Sequence, residues 1–213
     1  MALAPPRLLI VADRDYAGSN DAWQAALAHA ATALRGHPGA VQVRAKSASG
    51  QALRELAIRA RDVVPANVPL LLNGPAELAR DVGYTGVHWP QVDIPPAPPV
   101  ADGLDMHSAA VHAAPSLERA QRAGANFVVF GPVFAPGSKT ATPAGLESLR
   151  AITAVASVPV IAIGGITPGT VADCLAAGAH GVAVVSGIIG ANDPAAAVAD
   201  YLDAFRTATG GQP

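Results

Sequence analysis

Charge is scarce in this chain. Only 14% of its 213 residues are Asp, Glu, Lys or Arg, and the formal net charge is −2. Binding a polyanion needs a basic surface, so nucleic acid is not an expected partner. Low charge beside 51% hydrophobic residues also excludes intrinsic disorder, which requires the opposite balance. Cysteine is nearly missing. Cys174 stands alone beside Leu175 in a helix-like stretch, where it reads as a packed, inert thiol. No disulfide can form within the chain, and a reducing cytoplasm is the expected compartment. Long apolar runs are missing too. The richest, Val158 to Ile163, stops at Gly164-Gly165, far short of the ~20 residues a membrane helix needs. The segment from Met1 to Pro6 is too short for a signal peptide before the first strand-like run.

What the chain does have is regular alternation. Strand-like runs occur at Leu8–Ala12, Ala40–Arg44, Leu70–Leu72, Gly86–His88, Met106–Val111, Asn126–Phe130, Pro159–Ile163 and Gly181–Val185. Between them lie segments of helical spacing. In the first, Trp23, Leu27, Ala30, Ala31 and Leu34 share one face. Ser49 is placed to cap the second helix, Pro143 and Pro168 to open later ones, and Asp193-Pro194 to start the last. Four prolines between Gln91 and Pro99 reduce the fourth helix to a turn at most. Eight strand–helix units with Val- and Ile-rich strands imply a parallel sheet buried on both faces. The expected fold is α/β, a single (β/α)8 TIM barrel over residues 1–213 with a reduced fourth helix and a disordered tail from about 209. An open doubly wound sheet is the rival.

The chemistry-bearing residues fall at strand ends. Ile163-Gly164-Gly165-Ile166-Thr167-Pro168 places two glycines between a strand and a helix start, and Val184-Val185-Ser186-Gly187 repeats the arrangement after the next strand. Glycine lets backbone N–H groups approach an anion, and barrels hold phosphate between their seventh and eighth loops. The plainer reading is tight turns alone. Gln42, Arg44 and Lys46 alternate at the end of the second strand, so they point the same way, toward the barrel interior or mouth. Three polar groups there need a ligand or one another. Arg offers a planar fork to phosphate oxygens and Lys a point charge; an ion pair closing the barrel is the alternative. Lys139 lies in a Gly/Pro/Ser-rich loop after the sixth strand, either a lid or an ordinary surface loop. His112 follows the fifth strand at the same end, as a proton carrier or a structural histidine.

Taken in order, Ala12-Asp13-Arg14, Gln42-x-Arg44-x-Lys46, Asn73, Gly86-Val87-His88 with Asp93, Val111-His112, Gly131-Pro132-Val133-Phe134 with Lys139, and the two glycine motifs resemble the thiamine phosphate synthase superfamily. That superfamily includes the TenI-like thiazole tautomerases. The resemblance runs over nearly the whole chain and implies a thiamine-biosynthesis enzyme acting on a thiazole phosphate. It implies that Arg44, Lys46, Asn73 and Lys139 hold a pyrimidine diphosphate, and that Gly164, Gly165, Val185, Ser186 and Gly187 hold the thiazole phosphate. Synthases of this kind bind Mg²⁺ with two aspartates. One matches Asp93; the other would follow Asn73, where this chain has Gly74. Ala110 stands for the usual Ser, and Pro136-Gly137-Ser138 for the usual Thr-x-Thr. On those departures the leading expectation is a thiazole tautomerase, with His112 and Lys139 catalytic, Arg44 and Lys46 holding a substrate carboxylate, and no cofactor. The alternatives are a thiamine-phosphate synthase, with Mg²⁺ on Asp93 and the diphosphate, and a non-catalytic sensor of thiazole or thiamine phosphate. A homodimer is a candidate assembly, since barrels of this size often pair.

Overall fold

The computed structural model describes residues 3–99, 103–135 and 142–210. Eight strands run parallel: β1 (Leu8–Asp13), β2 (Gly39–Arg44), β3 (Leu70–Asn73), β4 (Gly86–Trp89), β5 (Met106–Val111), β6 (Phe127–Phe130), β7 (Val160–Ile163) and β8 (Gly181–Val184). Each pairs with the next, and β8 returns to β1 in the register Leu8↔Val182, Leu9↔Ala183, Ile10↔Val184. The sheet is therefore a closed barrel, as the alternation predicts, and the open sheet is excluded. The helices are α1 (Asn20–Ala33), α2 (Gly50–Val63), α3 (Ala76–Asp81), α4 (Ala114–Arg122), α5 (Gly145–Val155), α6 (Val171–Ala176), α7 (Ser186–Ile189) and α8 (Pro194–Ala208). Between β4 and β5 the described helical structure is a single 3-10 turn, Gln91–Asp93. This is the reduced fourth helix expected from the prolines. Among the described residues no helix is long and apolar enough to cross a membrane.

Because strand side chains alternate, closure sorts the apolar residues into two separate cores. Leu9, Val11, Ala40, Leu71, Met106, Phe127, Val129, Ile161 and Ala183 fill the barrel's inside. Their strand neighbours, such as Leu8, Ile10, Val41, Val128 and Val182, pack outward with the helices. The predicted face of α1 is buried there. Trp23 is fully enclosed, and its indole N–H donates to the carbonyl of Ala12 at 3.2 Å.

Helix starts depart from expectation in three places. Ser49 occupies the cap position of α2 but makes no side-chain cap bond. The helix after β6 begins at Gly145, past Pro143, because Gly145 has φ of +78°, outside the helical region, so the helix cannot run back through it; the N–H groups of Ala144 and Gly145 go to the carbonyls of Pro132 and Val133, at 2.7 and 3.0 Å. Thr167 precedes a 3-10 turn, Pro168–Thr170, and α6 follows it. The last helix starts as read, with Asp193 Oδ1 accepting from the N–H groups of Ala195 and Ala196. Of the expected tail, Thr209 still donates to Phe205 at 3.0 Å; residues 211–213 lie outside the described residues.

Phe127 is fully enclosed inside the barrel. Truncation to alanine leaves a cavity that closed strands cannot collapse around, so Phe127→Ala is expected to lower unfolding free energy by about 3–5 kcal/mol in urea titration. A loss under about 1 kcal/mol would mean that the interior repacks.

Candidate active site

The inward positions change character along the barrel. Below, they are apolar; toward the C-terminal ends of the strands they become Asp13, Gln42, Arg44, Asn73 and His88, which line one cavity of about 560 Å³. That size suits a small-molecule site. The cavity also takes in Lys46, Ala110, His112, Gly131, Ile163, Gly164, Gly165, Val185, Ser186 and Gly187. Thus the β2 triplet, Asn73, His112 and both glycine motifs meet in one place. Asp93 is exposed and is not part of the lining, although Gln91 and Val92 of the same turn are. Lys139 lies outside the described residues.

The cation side is built by β1 and β2. Their register sets Asp13 beside Arg44, and the two form an ion pair while remaining largely buried. The expected alternative, an ion pair at the barrel mouth, is thus also present, but it engages Arg44 through Nη1 alone. Gln42 is 3% exposed, and its amide makes no hydrogen bond among the described residues. It lines the cavity, so its amide is open to a ligand. Gln91 Oε1, by contrast, is buried without a partner.

His88 sits at the floor, 4% exposed, with Nδ1 2.9 Å from the hydroxyl of fully buried Ser108. Burial, aided by the nearby Arg44 guanidinium, pushes its pKa down to about 3. It is therefore a neutral hydrogen-bonding group. His112 is held differently: its Nδ1 lies 2.6 Å from the Gly131 carbonyl. A carbonyl only accepts, so Nδ1 carries the proton and Nε2 remains for a ligand. Cys174 is fully buried in α6, and burial raises its pKa to about 11, as suits a packed thiol.

The glycine loops make close turns, as the plainer reading has it, and they also line the cavity. Gly164 and Gly165 have φ of +101° and +63°, and a Cβ on either would collide with the preceding loop, at Pro132 Cβ (2.5 Å) and the Ala135 carbonyl (2.6 Å). The loops after β6 and β7 are laced together by Val133 N–H to Ile163 O (2.8 Å) and Phe134 N–H to Gly164 O (3.0 Å). After β8, Ser186 and Gly187 begin the short helix α7, where the first N–H groups lack intrahelical partners. One supporting residue escaped the sequence reading. Tyr201 of α8, 2% exposed, donates its hydroxyl to the Ile166 carbonyl at 2.8 Å. The same oxygen would lie 2.5 Å from a Cβ at Gly187, so it abuts both loops. A tyrosine 14 or more residues past the last motif carries no local signal. Gln91 was missed because it lay in a proline-rich stretch.

A model described as thiamine monophosphate synthase matches residues 8–188. The chain belongs to this family. A thiamine-phosphate synthase of Chloroflexus aurantiacus is 39% identical over 171 residues, 78% of each chain. One from Moorella thermoacetica is 36% identical over 184 residues, covering 84% of this chain and 87% of that one. In fold, a thiamine phosphate pyrophosphorylase from Pyrococcus furiosus superposes with a TM-score of 0.76 at 23% identity, over 95% of this chain and 96% of that one. These relatives overturn the tautomerase expectation and, being enzymes, the sensor reading with it. That expectation draws on Gly74 in place of a carboxylate, together with Ala110 and Pro136-Gly137-Ser138. A Cβ at Gly74 would come within 3.2 Å of Leu53 Cδ2 and 3.4 Å of Leu72, so the position is crowded by core side chains. Mg²⁺ is often held by one or two carboxylates together with substrate phosphates, so one lost aspartate alters a donor set without abolishing it. Among the described residues no three of His, Cys, Asp and Glu gather as a metal cage. Any Mg²⁺ here would thus need oxygens from a substrate, and the nearest protein candidates in the rim turn are the exposed carboxylate of Asp93 and the partnerless Oε1 of Gln91.

For His88 the sign of the pH effect is fixed by its lowered pKa. Between pH 6.5 and about 3 the unfolded chain takes up a proton here that the folded chain refuses. Its contribution to stability is complete above that window and declines as pH falls through it. Histidine NMR titration is expected to show His88 unmoved from about pH 8 to 5; a midpoint near 6.5 would mean that the ring is open to water.

Proposed function

We propose that this chain is a thiamine-phosphate synthase that joins hydroxymethylpyrimidine diphosphate to hydroxyethylthiazole phosphate and releases diphosphate. The observation that carries the reading is a single cavity with two separate anion-binding features: the Arg44–Lys46 pair after β2 and the glycine loops after β7 and β8. One phosphorylated substrate needs one such feature; two phosphorylated substrates need both.

In the coupling, the bond between the pyrimidine's exocyclic CH2 and the diphosphate oxygen breaks, and the oxygen keeps the electron pair. The thiazole nitrogen supplies the pair for the new N–C bond. No proton leaves carbon, so the step depends on neutralising the leaving diphosphate more than on a base. Arg44 and Lys46 take that role, with Asn73, and with Lys139 by family resemblance. Mg²⁺, when bound by Asp93 and the diphosphate, supplies further neutralisation of the leaving oxygens. Gln42 serves as an amide partner for the pyrimidine edge. The thiazole phosphate rests on Gly164, Gly165, Val185, Ser186 and Gly187. His112 then acts through Nε2 as a hydrogen-bonding group at the rim instead of a proton relay. A reducing cytoplasm suits the lone Cys174.

Purified protein given both substrates and Mg²⁺ is expected to form thiamine phosphate, and Asp93→Ala to lower the rate about 100-fold. Gln42→Ala is expected to raise KM for the pyrimidine diphosphate about tenfold, the worth of one well-made buried hydrogen bond. Absence of product from folded protein under these conditions would sink the reading.

A further inference from the structure

Asp15 lies on the 3-10 turn Arg14–Tyr16 that follows β1. Its carboxylate reaches across to the loop after β2, where Oδ2 accepts from the Ser47 N–H at 3.0 Å and Oδ1 accepts from the Ser47 hydroxyl. The backbone N–H of Lys46 adds to the hold on the same carboxylate. The turn that presents Asp15 is itself pinned, because the Asp15 N–H donates to Asp13 Oδ1 at 3.2 Å while Asp13 Oδ2 pairs with Arg44. Two carboxylates from one turn therefore bracket the cation-bearing segment, Asp13 on Arg44 and Asp15 on Ser47, with Lys46 between them. Strand pairing ends at Asp13↔Arg44, so beyond Arg44 the ladder no longer positions this chain segment.

We propose that Asp15 is a positioning residue that fixes the Lys46–Ser47 loop and thereby sets affinity for diphosphate without touching it. The proposal rests on the reading of this loop as the diphosphate side of the cavity. Asp15 and Ser47 are both exposed, and exposed pairs of this kind contribute little to global stability. The Ser47 hydroxyl above all, with the backbone N–H groups, holds the Asp15 pKa below its ordinary value, so the clamp stays charged at neutral pH.

The sign of the effect separates positioning from simple charge. A carboxylate beside an anion site repels the anion, so if Asp15 acted only through its field, removing it would tighten diphosphate binding. If it positions the loop, removing it weakens binding. Calorimetric titration of the full chain with inorganic diphosphate, with and without Mg²⁺, is expected to give a Kd about tenfold weaker for Asp15→Ala. Ser47→Ala, which leaves the charge untouched, is expected to weaken it about threefold. The melting temperature and the Kd for hydroxyethylthiazole phosphate stay at wild-type values. Unchanged or tighter diphosphate binding by folded Asp15→Ala overturns the proposal, and so does equal weakening of both ligands. A wild-type chain that binds diphosphate but forms no thiamine phosphate sinks the synthase reading and leaves this one decided by the Kd values. A wild-type chain that binds no diphosphate sinks both.

Discussion

Closure of the sheet governs everything else in this molecule. Once β8 pairs with β1, every second strand residue is forced into an interior with no other exit than the two ends. Apolar residues fill the lower part of that space. A polar residue at an inward position is tolerable only near an open end, where a partner or ligand can reach it. Asp13, Gln42, Arg44, Asn73 and His88 all obey this rule. The site is thus a direct result of where polar residues fall in a period-two pattern, and the ionisable groups in it are tuned by depth. His88 at the floor is kept neutral by burial, whereas Arg44 pairs with Asp13.

A second constraint acts on the loops. Those after β6 and β7 approach so closely that backbone lies against backbone, and Gly164 and Gly165 are needed for that approach. The two readings of a glycine motif are not rivals here. Tight packing fixes where the backbone N–H groups of these loops point, which is the preorganisation that any binding by them would require.

How much of this was legible depended on the range of the signal. The eight strands, the inward alternation of Gln42 and Arg44, and the loss of a helix among the prolines from Gln91 to Pro99 are local patterns, and they reappear in the structure. Capping signals did worse. Pro143 does not open its helix because Gly145, two residues on, sits at φ +78°, where a helix cannot continue. The four-residue helix α7 is too short to show a period. Tyr201 reaches the loops through space, from a helix whose pattern says only that one face is apolar. The tautomerase expectation failed for a different reason. A missing carboxylate at Gly74 was treated as a missing function, although the ligands of a hard cation are shared between protein and substrate.

The dependence of the glycine loops on Tyr201 has a consequence for the order in which the molecule is made. The cation half, from Asp13 through His88, leaves the ribosome early, and domains acquire structure from the N-terminal side during synthesis. The loops after β7 and β8 come later, yet the hydroxyl that donates to the first and abuts the second lies in α8. A nascent chain that has produced every residue lining the cavity still lacks the residue that steadies two of its loops. The support of these two loops therefore arrives only with α8, after every residue that lines the cavity has been made.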